Sequence, residues 1–322
     1  MSEEVVEAVF RYSDLKSIPL MLIASKNQID WDGGYVNNWD TKRYSNFLAL
    51  MKKKYERSNV LICRDHCGPG FKSVDIKDVY KTIDCDIENN FDLIHVDFSK
   101  HCSNHGEVLT ESKRAIEYIK KANSKILIEV GTDENTGSDF KDIKKIKKEV
   151  DFFTSISPIM FYVTQTGSLV KEINQVGKFE LKYTQEISKL LKDRDLRLKE
   201  HNADYFSDSD LKRRARIVDA LNIAPCLGVL QTVTTIEYCN IYGIKHNSFL
   251  VDAYGSRKWK KWLYKNNSNN KMLCSLVAGH YVFSNYPYRR IYDAICRFEN
   301  FREVLINVIM KHIDHYVQNF TE

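Results

Sequence analysis

Val60-Leu61-Ile62-Cys63-Arg64-Asp65-His66-Cys67-Gly68-Pro69-Gly70 opens with four apolar, β-prone residues and reads as a buried strand. An acid and an imidazole stand at its end, and Gly68-Pro69-Gly70 stops any regular element there. A strand that delivers Asp-His to its C-terminal end before a sharp turn is how parallel α/β barrels present catalytic groups. A strand-capping Asp beside a surface His explains the same stretch more plainly, because turns recruit Asp. The recurrence of the pattern elsewhere in the chain decides between them.

Before this strand, Ser17 to Ala24 reads as a first strand running into Ser25-Lys26-Asn27-Gln28. An amphipathic helix follows, with Tyr44, Phe47, Leu48 and Met51 at i, i+3, i+4 and i+7. After it, a helix begins near Val74. Leu93 to Phe98 is a strand, Thr110 to Lys121 a helix and Lys125 to Gly131 a strand. A Lys-rich helix at 141–149 presents a solvated face, and Phe152 to Ile156 reads as a short strand. Met160 to Val163 (strand), Glu180 to Leu191 (helix), Leu196 to Glu200 (strand), Asp208 to Ala215 (helix) and Ala220 to Ala224 (strand) complete the alternation. Strands and helices alternating this regularly predict a parallel sheet with helical crossovers. No Gly-x-Gly-x-x-Gly follows the first strand, which counts against a dinucleotide-binding fold. The expected architecture is a (β/α)8 barrel over residues 1–257. A helical extension over 258–322 packs on it through Phe301, Val304, Leu305, Val308 and Ile309, with Asn266 to Asn270 as a flexible loop.

Composition sets the remaining bounds. The 322 residues are 43% hydrophobic and 28% charged, enough for a sizeable core. The 48 basic and 43 acidic residues are dispersed along the chain, which argues against a nucleic-acid partner. Eight cysteines with no CxxC pair fit reduced thiols. Cys63 and Cys67 read as packing residues, and His101-Cys102…His105 lacks the partner pair a metal site needs. An acidic start and the absence of an apolar run of about 20 residues predict a soluble cytoplasmic protein with no membrane partner.

The C-terminal strand ends carry Asn27-Gln28, Asp65-His66, Asp97, Glu129, Gln165, His201-Asn202 and Asn222. In a barrel these distant positions converge on one mouth. His66, His201 and Glu129 form a nitrogen–oxygen donor set that suits a divalent metal, zinc by its borderline softness. An open coordination position would polarise a carbonyl as a Lewis acid, and Asp65 would serve as general acid or base. Asn202 and Asn222 would hold substrate hydroxyls, and the turn around Gly167 would offer N–H groups to a phosphate. Arg290 would reach that anion from the extension. His95 reads as structural.

The runs Ile23 to Tyr35, Asp65-His66-Cys67-Gly68-Pro69, Val163-Thr164-Gln165-Thr166-Gly167, Glu200-His201-Asn202-Ala203-Asp204-Tyr205, Asn222-Ile223-Ala224-Pro225, Trp259-Lys260-Lys261 and Tyr286 to Ile291 resemble the tagatose-bisphosphate aldolase accessory (non-catalytic) subunit family. That family is related to class II zinc-dependent sugar-phosphate aldolases, which are (β/α)8 barrels. The resemblance implies that Asp65 is the acid/base and His66 a zinc ligand, that Glu129 lies at the metal, that His201 is a late zinc ligand, and that Asn222 holds substrate. It also implies a departure, since Gln165 stands where catalytic aldolases carry a further zinc histidine. Either Glu129 completes the set, a harder ion replaces zinc, or the metal is lost. The implied activity is an aldolase or retro-aldol epimerase acting on a sugar or ketose phosphate. The alternative is a non-catalytic subunit paired with a class II aldolase; a homo-oligomer is also compatible.

Overall fold

Strand residues alternate between two environments, and this alternation builds the sheet. In β3 (Leu93–Val96), Ile94 and Val96 point outward, where they join Ile128, Val130, Tyr162 and Leu198 against apolar helix faces. Leu93 points inward, meeting Cys63, Phe161 and Ala220 in a smaller interior cluster. The remaining strands are β1 (Leu20–Ser25), β2 (Val60–Cys67), β4 (Leu127–Gly131), β5 (Phe161–Val163), β8 (Arg197–Glu200) and β9 (Ala220–Leu221). They form one parallel sheet in the order β1-β2-β3-β4-β5-β8-β9. A two-stranded antiparallel hairpin, β6 (Val170–Lys171) and β7 (Asn174–Gln175), lies in the connection after β5. The structure is a computed structural model that describes residues 1–101, 104–132 and 142–321.

The crossovers are α2 (Thr41–Lys54), α3 (Ile76–Glu88), α4 (His105–Ala122), α5 (Ile143–Thr154), α6 (Leu181–Lys192) and α7 (Asp208–Arg214). Several start on the side-chain caps their sequences offer: Asp40 accepts from Arg43 N–H, and Ser207 forms a capping box with Asp210. Arg64, facing outward beside inward Asp65, makes two 2.7 Å hydrogen bonds to Asp86 and so ties β2 to α3. A helix that the strand pattern does not announce, α1 (Glu3–Lys16), precedes β1 and is capped by Ser2.

The architecture is the expected α/β barrel type with a C-terminal helical extension, and the parallel sheet holds seven strands among the described residues. After β9 the chain is helical from Pro225: α8 (Pro225–Ile241), α9 (Asn247–Gly255), α10 (Lys271–Ala278), α11 (Tyr286–Ile295) and α12 (Phe301–Thr321). Cys226 and Leu227, at the start of α8, pack with Leu22 and Ala24 of β1 and Ile306 and Ile309 of α12.

Two local expectations are corrected. Phe152 and Phe153 are not in a strand; α5 continues through Thr154, because Ile146, Val150 and Phe153 are buried at helical spacing. The Asn-rich segment is not irregular loop throughout: a 3-10 turn spans Lys265–Asn267, and Asn270 caps α10 through Leu273 N–H at 3.0 Å. Cys102 and Lys141 lie outside the described residues. No described helix is long and apolar enough to cross a membrane.

Candidate active site

Above the interior apolar layer, the inward positions of successive strands become charged. Asp65 comes from β2, His95 from β3, Glu129 from β4 and Lys199 from β8, with His201 just past the end of β8. His95 and Glu129 are register partners across β3 and β4. His95, Glu129, Lys199 and His201 are buried, and Asp65 is half-buried.

The end of β2 is shaped to place His66. The β2–β3 register shifts between Arg64 and Cys67, and His66 has φ +45° in the left-handed region. Such a bulge re-aims a side chain, and a non-glycine residue held there stores strain typical of functional positions. Gly68 then allows close approach, since a Cβ there would lie 1.5 Å from the Asp97 carbonyl oxygen. In consequence His66 Nδ1 sits 2.7 Å from Asp97 Oδ2. Asp97 also accepts from Ser99 N–H at 3.0 Å and Thr132 Oγ1 at 3.1 Å. An imidazole held by a carboxylate in this way has its other nitrogen free to bind.

Four donor residues lie within 4.8 Å of one another: Asp65, His95, Glu129 and His201. His95 Nδ1 is 3.4 Å from Asp65 Oδ1 and 3.5 Å from Glu129 Oε1, and His201 Nε2 is 3.5 Å from Glu129 Oε1. These separations exceed good hydrogen bonds. They match the edges of a donor tetrahedron, since ligands about 2 Å from a shared ion stand roughly 3.3 Å apart. His201 Nε2 is buried with no hydrogen-bond partner. Lys199 Nζ contacts both oxygens of Glu129, at 2.9 and 2.7 Å. Carboxylates Asp65, Asp97 and Glu129 outnumber the single ammonium of Lys199, leaving a residual negative charge for cationic partners to balance. The donor set, the orphaned nitrogen and this residual charge all fit a divalent cation.

Electrostatics separate the groups. Burial drives the His201 imidazole down to about 4, so it is a neutral donor at physiological pH. Burial also opposes charge on His95, but Glu129, Asp65 and Asp97 outweigh it and raise His95 to about 9. Glu129 is penalised by burial, yet Lys199 and His95 bring it down to about 2. Asp65 is likewise penalised by burial, and the surrounding imidazoles still hold it well below the usual carboxylate range.

The other expected site residues are placed as follows. Asn27 Nδ2 donates to the Phe71 carbonyl, tying the β1 loop to the turn beyond His66. Gln28 Oε1 accepts from Ser25 N–H at 2.8 Å, and Gln165 Oε1 from Gly167 N–H at 2.7 Å. The Gly167 N–H is therefore committed to its own turn. The Asn202 carbonyl accepts from Gln175 Nε2 at 2.9 Å, and the Asn222 carbonyl accepts from Ala203 N–H at 3.0 Å. Arg290 is exposed and donates to Ser248 of α9 at 3.3 Å, not to a residue of the cluster.

Two central residues lie outside the site expected from the sequence: His95, read there as structural, and Lys199. His95 shares strand parity with Leu93 and Asp97, which was the available signal for an inward position. Lys199 shares parity with His201, but nothing in the sequence pairs it with Glu129. His66 falls in a second group with His95 and Asp97, beside the four-donor set. His105, at the start of α4, pairs with Glu149 at 3.2 Å.

No family model matches the chain, and no curated protein matches it. Solved structures do share the fold. A protein described as a probable tagatose 6 phosphate kinase from Sinorhizobium meliloti superposes with TM-score 0.79 at 15% identity, covering 98% of this chain and 97% of that one. Fructose-bisphosphate aldolase from Campylobacter jejuni superposes with TM-score 0.65 at 13% identity, over 99% and 87% of the two chains. The fructuronate-tagaturonate epimerase UxaE of Cohnella laeviribosi also gives TM-score 0.65, at 10% identity, over 99% and 80%.

Proposed function

We propose that this chain is a divalent-metal-dependent enzyme of retro-aldol chemistry, an aldolase or an epimerase, acting on a sugar or ketose phosphate. The observation that carries this reading is the cluster at the mouth of the sheet: donor atoms of Asp65, His95, Glu129 and His201 with separations of 3.4–3.5 Å, among them the His201 Nε2 that lacks a hydrogen-bond partner. Glu129 and His201 would hold the ion, with His66 joining from the end of β2. A zinc-like ion there supplies Lewis-acid polarisation of a substrate carbonyl.

Asp65, ionised at neutral pH, takes the proton from the hydroxyl β to that carbonyl as the carbon–carbon bond breaks. It returns the proton when the bond re-forms. Release of the aldehyde, with protonation of the remaining enolate carbon from solvent, gives an aldolase, and rotation with re-addition gives an epimerase. Asn202 and Asn222 are assigned to substrate hydroxyls. Lys199 keeps Glu129 charged and fixed.

One observation favours a second reading, a non-catalytic subunit of a class II aldolase: the Gln165 amide is turned back onto Gly167 N–H. Proton NMR of the metal-loaded protein with ketose phosphates tests the leading one. The expected result is a triose product or a new epimer, lost by about 10²- to 10⁴-fold in Asp65→Asn. Solvent deuterium entering at the carbon beside the carbonyl, without cleavage, would contradict it. Stimulation of an added class II aldolase without turnover of its own would identify the subunit.

A further inference from the structure

We infer that His95 is itself a ligand of the divalent ion, binding through Nδ1 and supplying from β3 the imidazole that is absent at Gln165. The inference rests on the metal-dependent reading above and adds a residue to it.

The tautomer is fixed by the protein. His95 Nε2 lies 2.8 Å from the Gly131 carbonyl oxygen, which can only accept, so Nε2 carries the proton. A backbone carbonyl on the far nitrogen is the usual partner of a metal-bound histidine. It directs Nδ1 into the cluster, where that atom takes a proton in metal-free protein and would exchange it for the ion. There Nδ1, when unprotonated, accepts a long hydrogen bond from His66 N–H at 3.3 Å, and lies 3.4 Å from Asp65 Oδ1 and 3.5 Å from Glu129 Oε1. None of these is a close hydrogen bond, although the side chain is fully buried.

Ring positions agree. The His95 centroid lies 4.9 Å from that of His66 and 5.6 Å from that of His201. Imidazoles sharing one tetrahedral ion stand about 5 Å apart, given nitrogen–zinc bonds near 2 Å. His95 is also the one residue common to both donor groups among the described residues. Gln165 cannot take the place without breaking its 2.7 Å bond to Gly167 N–H, and an amide is a poor zinc ligand.

The test is cobalt binding by the full chain, followed by visible absorption, for the wild type, His95→Ala and His95→Cys. His95→Ala is expected to weaken Co²⁺ binding by about a hundredfold or more. His95→Cys is expected to bind Co²⁺ with a new thiolate-to-cobalt charge-transfer band in the near ultraviolet. Unchanged affinity in the alanine variant, or cobalt bound by the cysteine variant without that band, would remove His95 from the ligand set. Should the variants fail to fold, ¹⁵N-histidine NMR of the Zn²⁺-loaded wild type decides. One ring metallated at Nδ1 and protonated at Nε2 supports the assignment, and its absence overturns it. Wild-type protein that takes up neither ion would overturn the metal-dependent reading as a whole, whereas metal binding indifferent to residue 95 would overturn this inference alone.

Discussion

Lys199 and Glu129 are both fully buried and joined by two short hydrogen bonds. Breaking one partner of such a pair strands a charge, which costs far more than replacing both. Lys199→Met should therefore lower the unfolding free energy by about 3–5 kcal/mol. The double variant Lys199→Met/Glu129→Gln should regain most of it, as measured by urea denaturation. His95 gives a pH signature in metal-free protein. Its pKa rises from 6.5 to about 9 on folding, so its stabilising contribution is complete below pH 6.5 and is lost as pH climbs towards 9. Over that interval the wild-type melting temperature should fall more than that of His95→Gln, by on the order of 5 °C; equal slopes would contradict the assignment. Asp97→Asn removes the carboxylate that orients His66 and should weaken metal binding by about 10- to 100-fold. Asp65, Glu129 and His201 were legible as strand-end residues. The Lys199–Glu129 pairing was not, because it joins β8 to β4 and sequence spacing carries no information about that distance.

The elements that hold the mouth include one from the extension. On α12, the Tyr316 hydroxyl donates to the Ala203 carbonyl at 2.8 Å and accepts from Phe206 N–H at 3.2 Å. It thus pins the segment that follows His201. Tyr316→Phe leaves both buried partners unsatisfied and should cost about 1–3 kcal/mol, with a parallel loss of metal affinity if that segment carries the ligand. Gln175 of β7 holds the same segment, donating to the carbonyls of Asn202 and Asp204 and accepting from Leu169 and Gly177 N–H. At this scale the strands and most helices were readable from apolar periodicity. The end of α5 was not: Phe152-Phe153 is β-prone locally, and only packing against the sheet makes it helical. Helix α1 lies before the first strand, outside the strand–helix alternation, although Ser2 caps it and Val5, Val6, Val9 and Phe10 form its buried face.

For the whole molecule, the barrel-type fold followed from alternation alone, and structures with 10–15% identity share it. The convergence of strand ends was the decisive expectation, and the His66 and His201 rings stand 5.2 Å apart, close enough to share an ion. Chemistry at the mouth then depends on whether an ion is held there. The direct measurement is elemental analysis of protein purified without chelator, repeated for His201→Ala. The mechanism predicts about one equivalent of divalent metal per chain in the wild type and a large loss in the variant. Less than about a tenth of an equivalent in the wild type, not raised by incubation with Zn²⁺, would contradict it.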